Sequence, residues 1–357
     1  MKKILIFLLT IVFSISSFSQ VPEATPADKR LKGYEIRMDL KENSLIKNVQ
    51  FRNVGPVVMS GRVVDLDVNP KNPNEFYAAY ASGGLWHTNN NGITFTPIFD
   101  NRAVMTLGDI AVDWKNRVIW AGTGENNSSR SSYSGTGLYK SADNGKTWEF
   151  MGLPETHHTG RIIMHPENPD ILWVAAIGHL YSPNEERGVY KTTDGGKNWK
   201  KTLFIDENTG VIDLVINPQN PDHLYAAAWT RERRAWNFVE GGEGSGIYES
   251  TDGGDTWTKI SGGKSGFPDG EGVGRIGLAI YPDNPQIMYA FLDNNFHREK
   301  EEKEETDELT KEQLKLMSKE DFLELSEDKL QKYLKDNSFP RDYTVKIVKE
   351  MVKNDEI

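Results

Sequence analysis

Residues 188–199 read GVYKTTDGGKNW, and this twelve-residue phrase returns in related form three more times along the chain. The other copies occupy residues 84–95, 137–148 and 246–257, and the leading glycines of successive copies lie 53, 51 and 58 residues apart. Short β-rich runs flank a second, proline-containing phrase in most units. Periods of about 40–50 residues with several short strands per unit are typical of a β-propeller, with one four-stranded blade per unit.

Each copy of the phrase has the chemistry of a tight turn between two strands. Asp194 can accept hydrogen bonds from turn amides, and Gly196 can adopt a positive φ at low steric cost. Trp199 is expected to seal the hairpin against its blade. Repetition in every unit favours a scaffolding role, because catalysis needs one site rather than four. The predicted structural residues of these turns are Asp143, Asp194, Asp252, Trp148, Trp199 and Trp257.

Composition excludes several classes of function. The 357 residues carry 42 Lys and Arg against 52 Asp and Glu, a net charge of −10. This acidic balance argues against nucleic-acid binding, which needs a basic face that displaces counterions. The chain has no cysteine, so disulfides and thiolate metal sites are excluded. We expect no cofactor and no metal.

The first residues have the features of a secretory signal. Lys2 and Lys3 precede an apolar run over residues 4–13, and Ser17 and Ser19 supply the small residues of a cleavage site. Cleavage is predicted near Ser19/Gln20. The apolar run is too short to span about 30 Å of hydrocarbon, so stable membrane insertion is not expected. The sequence predicts a protein that is secreted, periplasmic or held at the cell surface.

Composition also divides the chain into segments. We predict a signal peptide over 1–19, an N-terminal extension over 20–48, propeller blades over 49–296 and a charged helical insertion over 297–357. The last 61 residues hold 31 charged side chains and neither Gly nor Trp. Ser318 and Ser326 each precede acidic residues, as helix N-caps do. By its position this insertion should extend from one of the loops on the side of the blades where we expect a ligand to bind. There it could serve as a lid or a docking element.

The predicted fold is all-β, with about four complete blades, part of a fifth and an unclosed ring. After the second strand of the fifth unit, the sequence turns helical instead of completing the blade. Residues 49–54 resemble an outermost strand that lacks its own blade. Because unpaired strand edges invite aggregation, we expect the natural protein to continue beyond Ile357, with that remainder as the partner that closes the ring.

The repeated phrase is the Asp-box, Ser/Thr-x-Asp-x-Gly-x-Thr-Trp, and three copies match it well with Asn198 as the one departure. Residues 49–294 resemble the secreted bacterial Asp-box (BNR) propeller proteins related to the sortilin N-terminal domain, often labelled glycosyl hydrolases. The phrases at 51–56, 60–62, 122–125 and 187–190 are similar to that family in particular. The resemblance implies a propeller and implies much less about activity.

Antiparallel succession places alternate connections on opposite faces of the blades. The Asn-Pro turns and Asp-boxes share one face, and the longer, unlike loops share the other, where binding residues usually lie. Gly-Arg pairs open three innermost strands. Their arginines either converge as an anion site or bond acids and carbonyls of their own and the next blade. The candidate ligand-binding residues are Arg62, Arg161, Arg275, Arg130, His179, Trp229, Arg234 and Trp236.

Three functional hypotheses remain open from the sequence. The first is a non-catalytic propeller that binds a polypeptide or a glycan through the long-loop face. The second is a glycoside hydrolase, which needs two carboxyl groups across the scissile bond. Similarity to the xyloglucan-cleaving Asp-box family implies an Asp base where this chain has Ala81. Glu125 is the best candidate catalytic carboxylate. The third is a structural or assembly role.

Overall fold

The structure is a computed structural model that describes residues 23–49, 61–297 and 308–357. The predicted signal peptide and most of the predicted orphan strand at 49–54 lie outside these residues. The chain divides into two compact units, which meet in sequence between Phe296 and His297. The first unit contains the blades and the second contains short helices.

The blades are antiparallel sheets whose strands follow one another in sequence order. Blade 1 contains β1 (Val63–Val68), β2 (Phe76–Tyr80), β3 (Gly84–Thr88) and β4 (Thr96–Pro97). Blade 2 contains β5 (Leu107–Asp113), β6 (Val118–Thr123), β7 (Leu138–Ser141) and β8 (Glu149–Phe150). Blade 3 contains β9 (Thr159–Met164), β10 (Leu172–Ala176), β11 (Gly188–Thr192) and β12 (Lys200–Leu203).

Blade 4 carries an insertion, and blade 5 is incomplete in the described residues. Blade 4 contains β13 (Thr209–Ile216), β14 (Leu224–Thr230), β17 (Gly246–Ser250) and β18 (Thr258–Lys259), with a separate hairpin of β15 (Glu232–Arg233) and β16 (Phe238–Val239). Blade 5 consists of β19 (Val273–Ile280) and β20 (Met288–Asn294). The prediction of an all-β propeller with an unclosed ring is confirmed.

The Asp-box turns fold as the sequence predicts. Asp194 accepts hydrogen bonds from the Thr192 hydroxyl at 2.8 Å and from the Asn198 amide at 2.9 Å. The amide of Gly195 donates to the carbonyl of Asp170, which belongs to the proline-containing turn of the same blade. The two kinds of turn therefore lie on one face, here called the turn face, and the longer loops lie on the opposite loop face.

The Asp-box tryptophans pack differently from the sequence-based expectation. Each was expected to seal its own hairpin, but the indole N–H also bonds the outer strand region of the preceding blade. Trp148 donates to the carbonyl of Ile98 at 2.8 Å, and Trp199 donates to the carbonyl of Met151 at 2.8 Å. Trp257 reaches the Thr202 hydroxyl at 3.2 Å. The Asp-box thus joins neighbouring blades as well as closing a turn.

Acidic residues on the innermost strands also connect adjacent blades. An Asp carboxylate on one innermost strand accepts a hydrogen bond from a backbone amide of the next. The pairs are Asp65 with Ile110 at 3.2 Å, Asp109 with Ile162 at 2.7 Å and Asp213 with Leu278 at 2.9 Å. Because each carboxylate bonds an amide of the neighbouring innermost strand, these contacts stabilise the packing of successive blades.

Hydrophobic cores lie between successive blades. One such core packs Tyr77 and Leu85 of blade 1 against Leu107 and Ile119 of blade 2, all buried. Related cores join blades 2 and 3, 3 and 4, and 4 and 5. At the start of the arc, by contrast, Leu66 of β1 is 54% exposed. The arc therefore presents an uncovered apolar side where a further blade would pack.

Helices occupy the two remaining described segments. The N-terminal extension forms α1 (Ala27–Glu42), which the sequence analysis did not predict. The second unit contains α2 (Lys311–Leu316), α3 (Lys319–Glu324), α4 (Glu327–Asp336) and α5 (Val345–Lys353). Ser318 caps α3 through its side chain, whereas Ser326 precedes α4 without a side-chain cap bond. Leu330, Leu334, Val345 and Val348 form the core of this unit.

Candidate binding face

The loop face carries a cavity of about 440 Å³ between α1 and the loops of blades 2 and 3. We call it the loop-face cavity. It is lined by residues 23–25, Arg30, Arg130, residues 132–134, His157, His158 and residues 179–182. Tyr133 and Tyr181 at its rim are 60% and 42% exposed. Of the predicted ligand residues, Arg130 and His179 lie directly in this wall.

Two buried arginines hold the surrounding loops in place. Arg187 donates to the carbonyls of Ile177 at 2.8 Å and His179 at 2.8 Å. Arg231 donates to the carbonyl of Asn127 at 3.0 Å and to the Ser128 hydroxyl at 2.7 Å, which joins loops of blades 2 and 4. Both side chains are 1% exposed, so they order the loop face rather than meet a ligand. The sequence pattern did not predict this role for Arg187 and Arg231.

Glu125, the predicted catalytic candidate, lies buried beside the cavity. Its Oε1 accepts hydrogen bonds from Arg62, at 2.8 Å from Nε, and its side chain is 1% exposed. Its backbone carbonyl contacts Nδ1 of His158 at 2.8 Å. Oε2 of Glu125 is buried without a hydrogen-bond partner. The carboxylate is therefore tied to a cation of blade 1 and largely shielded from solvent.

The other Gly-Arg arginines line the inner strands. Arg161 bonds Asp109 at 2.9 Å and Asp213 at 3.0 Å, and these carboxylates raise its pKa. The guanidinium of Arg275 lies 5.7 Å from the centre of the Trp229 ring. Burial lowers the pKa of Arg275, and the charge of Asp213 opposes that effect. The structure thus favours the alternative in which Arg62 and Arg161 bond acids of adjacent blades.

The three candidates from the blade 4 loop have different environments. Trp229 is 3% exposed and donates to the carbonyl of Glu240 at 3.0 Å, so it belongs to the core. Arg234 pairs with Glu232 at 2.6 Å and donates to the carbonyl of Tyr181 at 2.6 Å, next to the loop-face cavity. Trp236 lies in the β15–β16 hairpin loop and is 79% exposed. Only Trp236 of the three presents an open aromatic ring.

Ala81, at the position where the xyloglucanase pattern implies an Asp, is 1% exposed. Its amide donates to the carbonyl of Arg62 at 2.8 Å, which fixes it beside the start of β1. A second opening of about 810 Å³ lies on the turn face, between the proline-containing turns of blades 1 and 3 and the β5–β6 turn of blade 2. The uniform turns around that opening carry none of the predicted ligand residues.

His157 and His179, which line the loop-face cavity, form an unforeseen cluster with Glu155. His157 has a φ of 56° and a ψ of −42°, and the amide of His158 bonds the carbonyl of Thr156 at 2.6 Å, which together make a γ-turn. The imidazole rings of His157 and His179 have centroids 3.8 Å apart. Burial lowers the pKa of His157 to about 2, with further effects from His179, Arg30 and Arg187, so the ring is neutral.

Among residues 23–49, 61–297 and 308–357, every helix is too short or too polar to cross a bilayer.

Comparison with known proteins places the chain in a family. The model for "Sortilin, neurotensin receptor 3" matches residues 136–356, which is more than half of the chain. A vacuolar protein sorting/targeting protein 10 of Kluyveromyces lactis is 35% identical over 80 residues, covering 22% of this chain and 5% of that protein. A xyloglucanase of Paenibacillus sp is 23% identical over 298 residues, covering 76% of this chain and 26% of the enzyme.

Among solved structures, an ancestral GH74 enzyme superposes with a TM-score of 0.50 at 21% identity, covering 68% of this chain and 29% of the enzyme. At that identity the likeness supports the propeller fold alone. The chain spans about a quarter or less of the curated relatives described above. The Asp-box repeats, the propeller blades and the family-model match agree, and the chain belongs to the Sortilin-Vps10 family.

Proposed function

We propose that this chain is part of a secreted propeller that binds an extracellular glycan through its loop face without hydrolysing it. The observation that carries the proposal is the set of exposed rings, Tyr133, Tyr181 and Trp236, on the face that also holds Arg130 and the loop-face cavity. Aromatic rings offer flat apolar surface with polar edges, and a concave site with a few convergent polar groups suits an oligosaccharide. The relatives named xyloglucanase make a polysaccharide the first ligand to test.

The proposal leaves catalysis out for a structural reason. Hydrolysis of a glycosidic bond needs two carboxyl groups about 5–9.5 Å apart, one of which donates a proton. Ala81 supplies no carboxylate at the position implied by the xyloglucanase pattern, and Glu125 is buried against Arg62. The contact with Arg62 and the 1% exposure of its side chain leave Glu125 poorly placed to reach a glycosidic oxygen.

A glycoside hydrolase is the second candidate, and one observation favours it. Oε2 of Glu125 is buried without a partner, although its other oxygen is bonded to Arg62. Active sites commonly hold such incompletely satisfied groups. If the chain is hydrolytic, Glu125 is the residue whose replacement should abolish turnover.

A polypeptide ligand is the third outcome to be tested. The family description names a neurotensin receptor, and the exposed aromatic and arginine side chains of the loop face also suit peptide side chains. The same face would serve either ligand, and glycan and peptide arrays distinguish the two.

Glycan and peptide arrays probed with the purified protein test the proposal, followed by calorimetric titration of each hit. We expect glycan hits whose affinity falls in Tyr181→Ala and is unchanged in Glu125→Gln. A parallel assay for reducing-sugar release from xyloglucan and other polysaccharides should give no product. Sugar release that disappears in Glu125→Gln would replace the proposal with the hydrolase, and peptide hits alone would replace the ligand class.

A further inference from the structure

Three groups that can bind a metal meet beside the loop-face cavity, and two of them, His157 and His179, line it. Glu155 and His157 lie in the connection between blades 2 and 3, and His179 follows β10 of blade 3. One donor atom from each lies within 4.8 Å of the other two. Nε2 of His157 is 3.5 Å from Oε2 of Glu155. The propeller loops thus bring His179 together with Glu155 and His157, which lie 24 and 22 residues earlier in the sequence.

Both imidazoles leave a buried nitrogen without a hydrogen-bond partner. Nε2 of His157 and Nε2 of His179 are enclosed and make no hydrogen bond, and His157 is 8% exposed. Buried polar atoms nearly always have a hydrogen-bond partner, so two neighbouring nitrogens without one require an explanation. A bound ion is one such explanation. Nδ1 of His179 is 2.9 Å from the Ser182 hydroxyl, a contact that can fix the ring with a lone pair on Nε2.

The backbone conformation of His157 is strained. Its φ of 56° is unusual for a residue with a side chain, and the γ-turn it occupies is a strained one. Leu153, four residues earlier, also has a φ of 56°. Strained residues cluster at functional sites, because the surrounding structure must pay for a conformation that positions a particular side chain.

We propose that Glu155, His157 and His179 bind a divalent cation of the Zn²⁺ type, with water completing its coordination from the cavity. Two imidazole nitrogens and one carboxylate oxygen form a donor set that Zn²⁺ accepts, leaving one position open. Ligands of a tetrahedral zinc ion lie about 3.4 Å apart for bonds of about 2.1 Å. The 3.5 Å separation of Glu155 and His157 fits that spacing. The wider separations within the cluster require a small side-chain rotation on binding.

The neighbours of Glu155 are compatible with this role. Its Oε1 accepts the amide of Ala27 at the start of α1 at 2.5 Å, and its Oε2 accepts Arg30 at 3.3 Å. A carboxylate has about four acceptor positions, so Oε2 can retain a hydrogen bond while it binds a cation. The opposing view is that Glu155 only anchors α1. That view predicts that replacing Glu155 affects stability and leaves metal binding untouched.

Metal titration of the purified chain tests the proposal independently of any glycan. The protein is freed of any polyhistidine tag, treated with chelator and titrated with Zn²⁺ by calorimetry and with Co²⁺ by visible absorption. We expect one ion per chain. His157→Ala and His179→Ala should each weaken binding about 100-fold, and Glu155→Gln about 10-fold, in line with the loss of a ligand or of its charge.

His165→Ala is the matched control, since His165 caps a turn on the opposite face through its Nδ1. This variant should bind Zn²⁺ as the wild type does. Far-ultraviolet circular dichroism and the metal-free melting temperature identify variants that have lost their fold. Failure of the wild-type chain to bind either ion overturns the proposal, as does wild-type affinity in a folded Glu155→Gln variant together with a folded His179→Ala variant.

Discussion

At the residue scale, Asp194 shows how one side chain specifies a turn. Its two carboxylate oxygens accept bonds from Thr192, from the Asn198 amide and from the Asn198 side chain at 2.7 Å. These bonds lower the pKa of Asp194 to about 2, with the Asn198 side chain as the largest cause. The same arrangement recurs at Asp143 and Asp252. A residue used in this way in successive blades belongs to the scaffold.

We therefore expect Asp194→Ala to lower the melting temperature while leaving ligand affinity unchanged, because the turn lies on the face opposite the loops. Thermal unfolding and a binding isotherm check this, with the exposed neighbour Lys197→Ala as the control. A variant that kept its melting temperature and lost all binding would show that the scaffolding interpretation is wrong.

Trp236 is the residue for which the structure supports the strongest ligand effect. Its ring is 79% exposed in the β15–β16 hairpin loop, so no core is lost when it is removed. Exposed aromatic anchors often contribute a large share of binding energy, and we expect Trp236→Ala to weaken glycan binding about 10-fold. The melting temperature should stay constant. Ile93→Ala, at a similarly exposed position on the turn face, is the control for calorimetric titration.

At the element scale, the innermost strands are joined by carboxylates, and the blade ends are joined by an ion pair. Glu75 of blade 1 accepts Arg117 of blade 2 through both oxygens, at 2.5 and 3.1 Å, and also accepts Asn69 at 2.8 Å. Arg117 first, then Asn69 and His87, lower the pKa of Glu75 to about 2 from its ordinary 4.5.

This shift gives a pH dependence of definite sign. Above pH 4.5 the Glu75 carboxylate is charged in both the folded and the unfolded chain, so its interactions in the folded state contribute their full stabilisation. As the pH falls from 4.5 toward 2, the unfolded chain takes up the proton first, so stability is lost. Glu75→Gln should lower the free energy of unfolding by about 2 kcal/mol at pH 7. This figure is reduced because Arg117 is partly exposed and solvent screens its charge.

Urea unfolding of the wild type and Glu75→Gln at pH 7, 4 and 3 measures this effect. The difference in unfolding free energy between the two should shrink as the pH falls, and Glu149→Gln, on an exposed edge strand, should show no such trend. An equal difference at all three pH values would mean that Glu75 is not the group responsible.

The blade strands were predictable from the sequence, whereas helix α1 was not. Strands around the Asp-boxes were predictable because their alternation and turn residues repeat. In blade 4, for example, β13, β14, β17 and β18 are the four strands that the repeated unit predicts. Helix α1 was missed, because its stability depends on contacts such as that of Tyr34 with the Asn101 carbonyl rather than on its own pattern.

At the scale of the first unit, the open arc leaves apolar side chains uncovered. On β20, Tyr289 and Phe291 are 66% and 85% exposed. Unpaired strand edges with apolar side chains favour association. We expect the chain expressed alone to be poorly soluble or oligomeric despite its net charge of −10.

Phe291→Lys should shift the chain toward the monomer, because a charge at an edge strand opposes pairing with another edge. Size-exclusion chromatography with light scattering measures the shift, and Ile93→Lys, at an exposed position away from β20, is the control. A monodisperse wild-type monomer with strong hydrogen-exchange protection over residues 49–54 would instead show that the ring closes without further sequence.

The sequence by itself determined the fold class, the blade repeat and the residues of the Asp-box, because those depend on local turn chemistry and on a spacing that can be read directly. It did not determine which side chains of the loop face would meet. Arg161 was a candidate for ligand binding, yet Asp109 and Asp213 from the two adjacent blades hold it. Glu155, His157 and His179 suggested no common site, yet the loops bring them together. Such pairings depend on how successive blades pack, and that packing is a property of the tertiary structure alone.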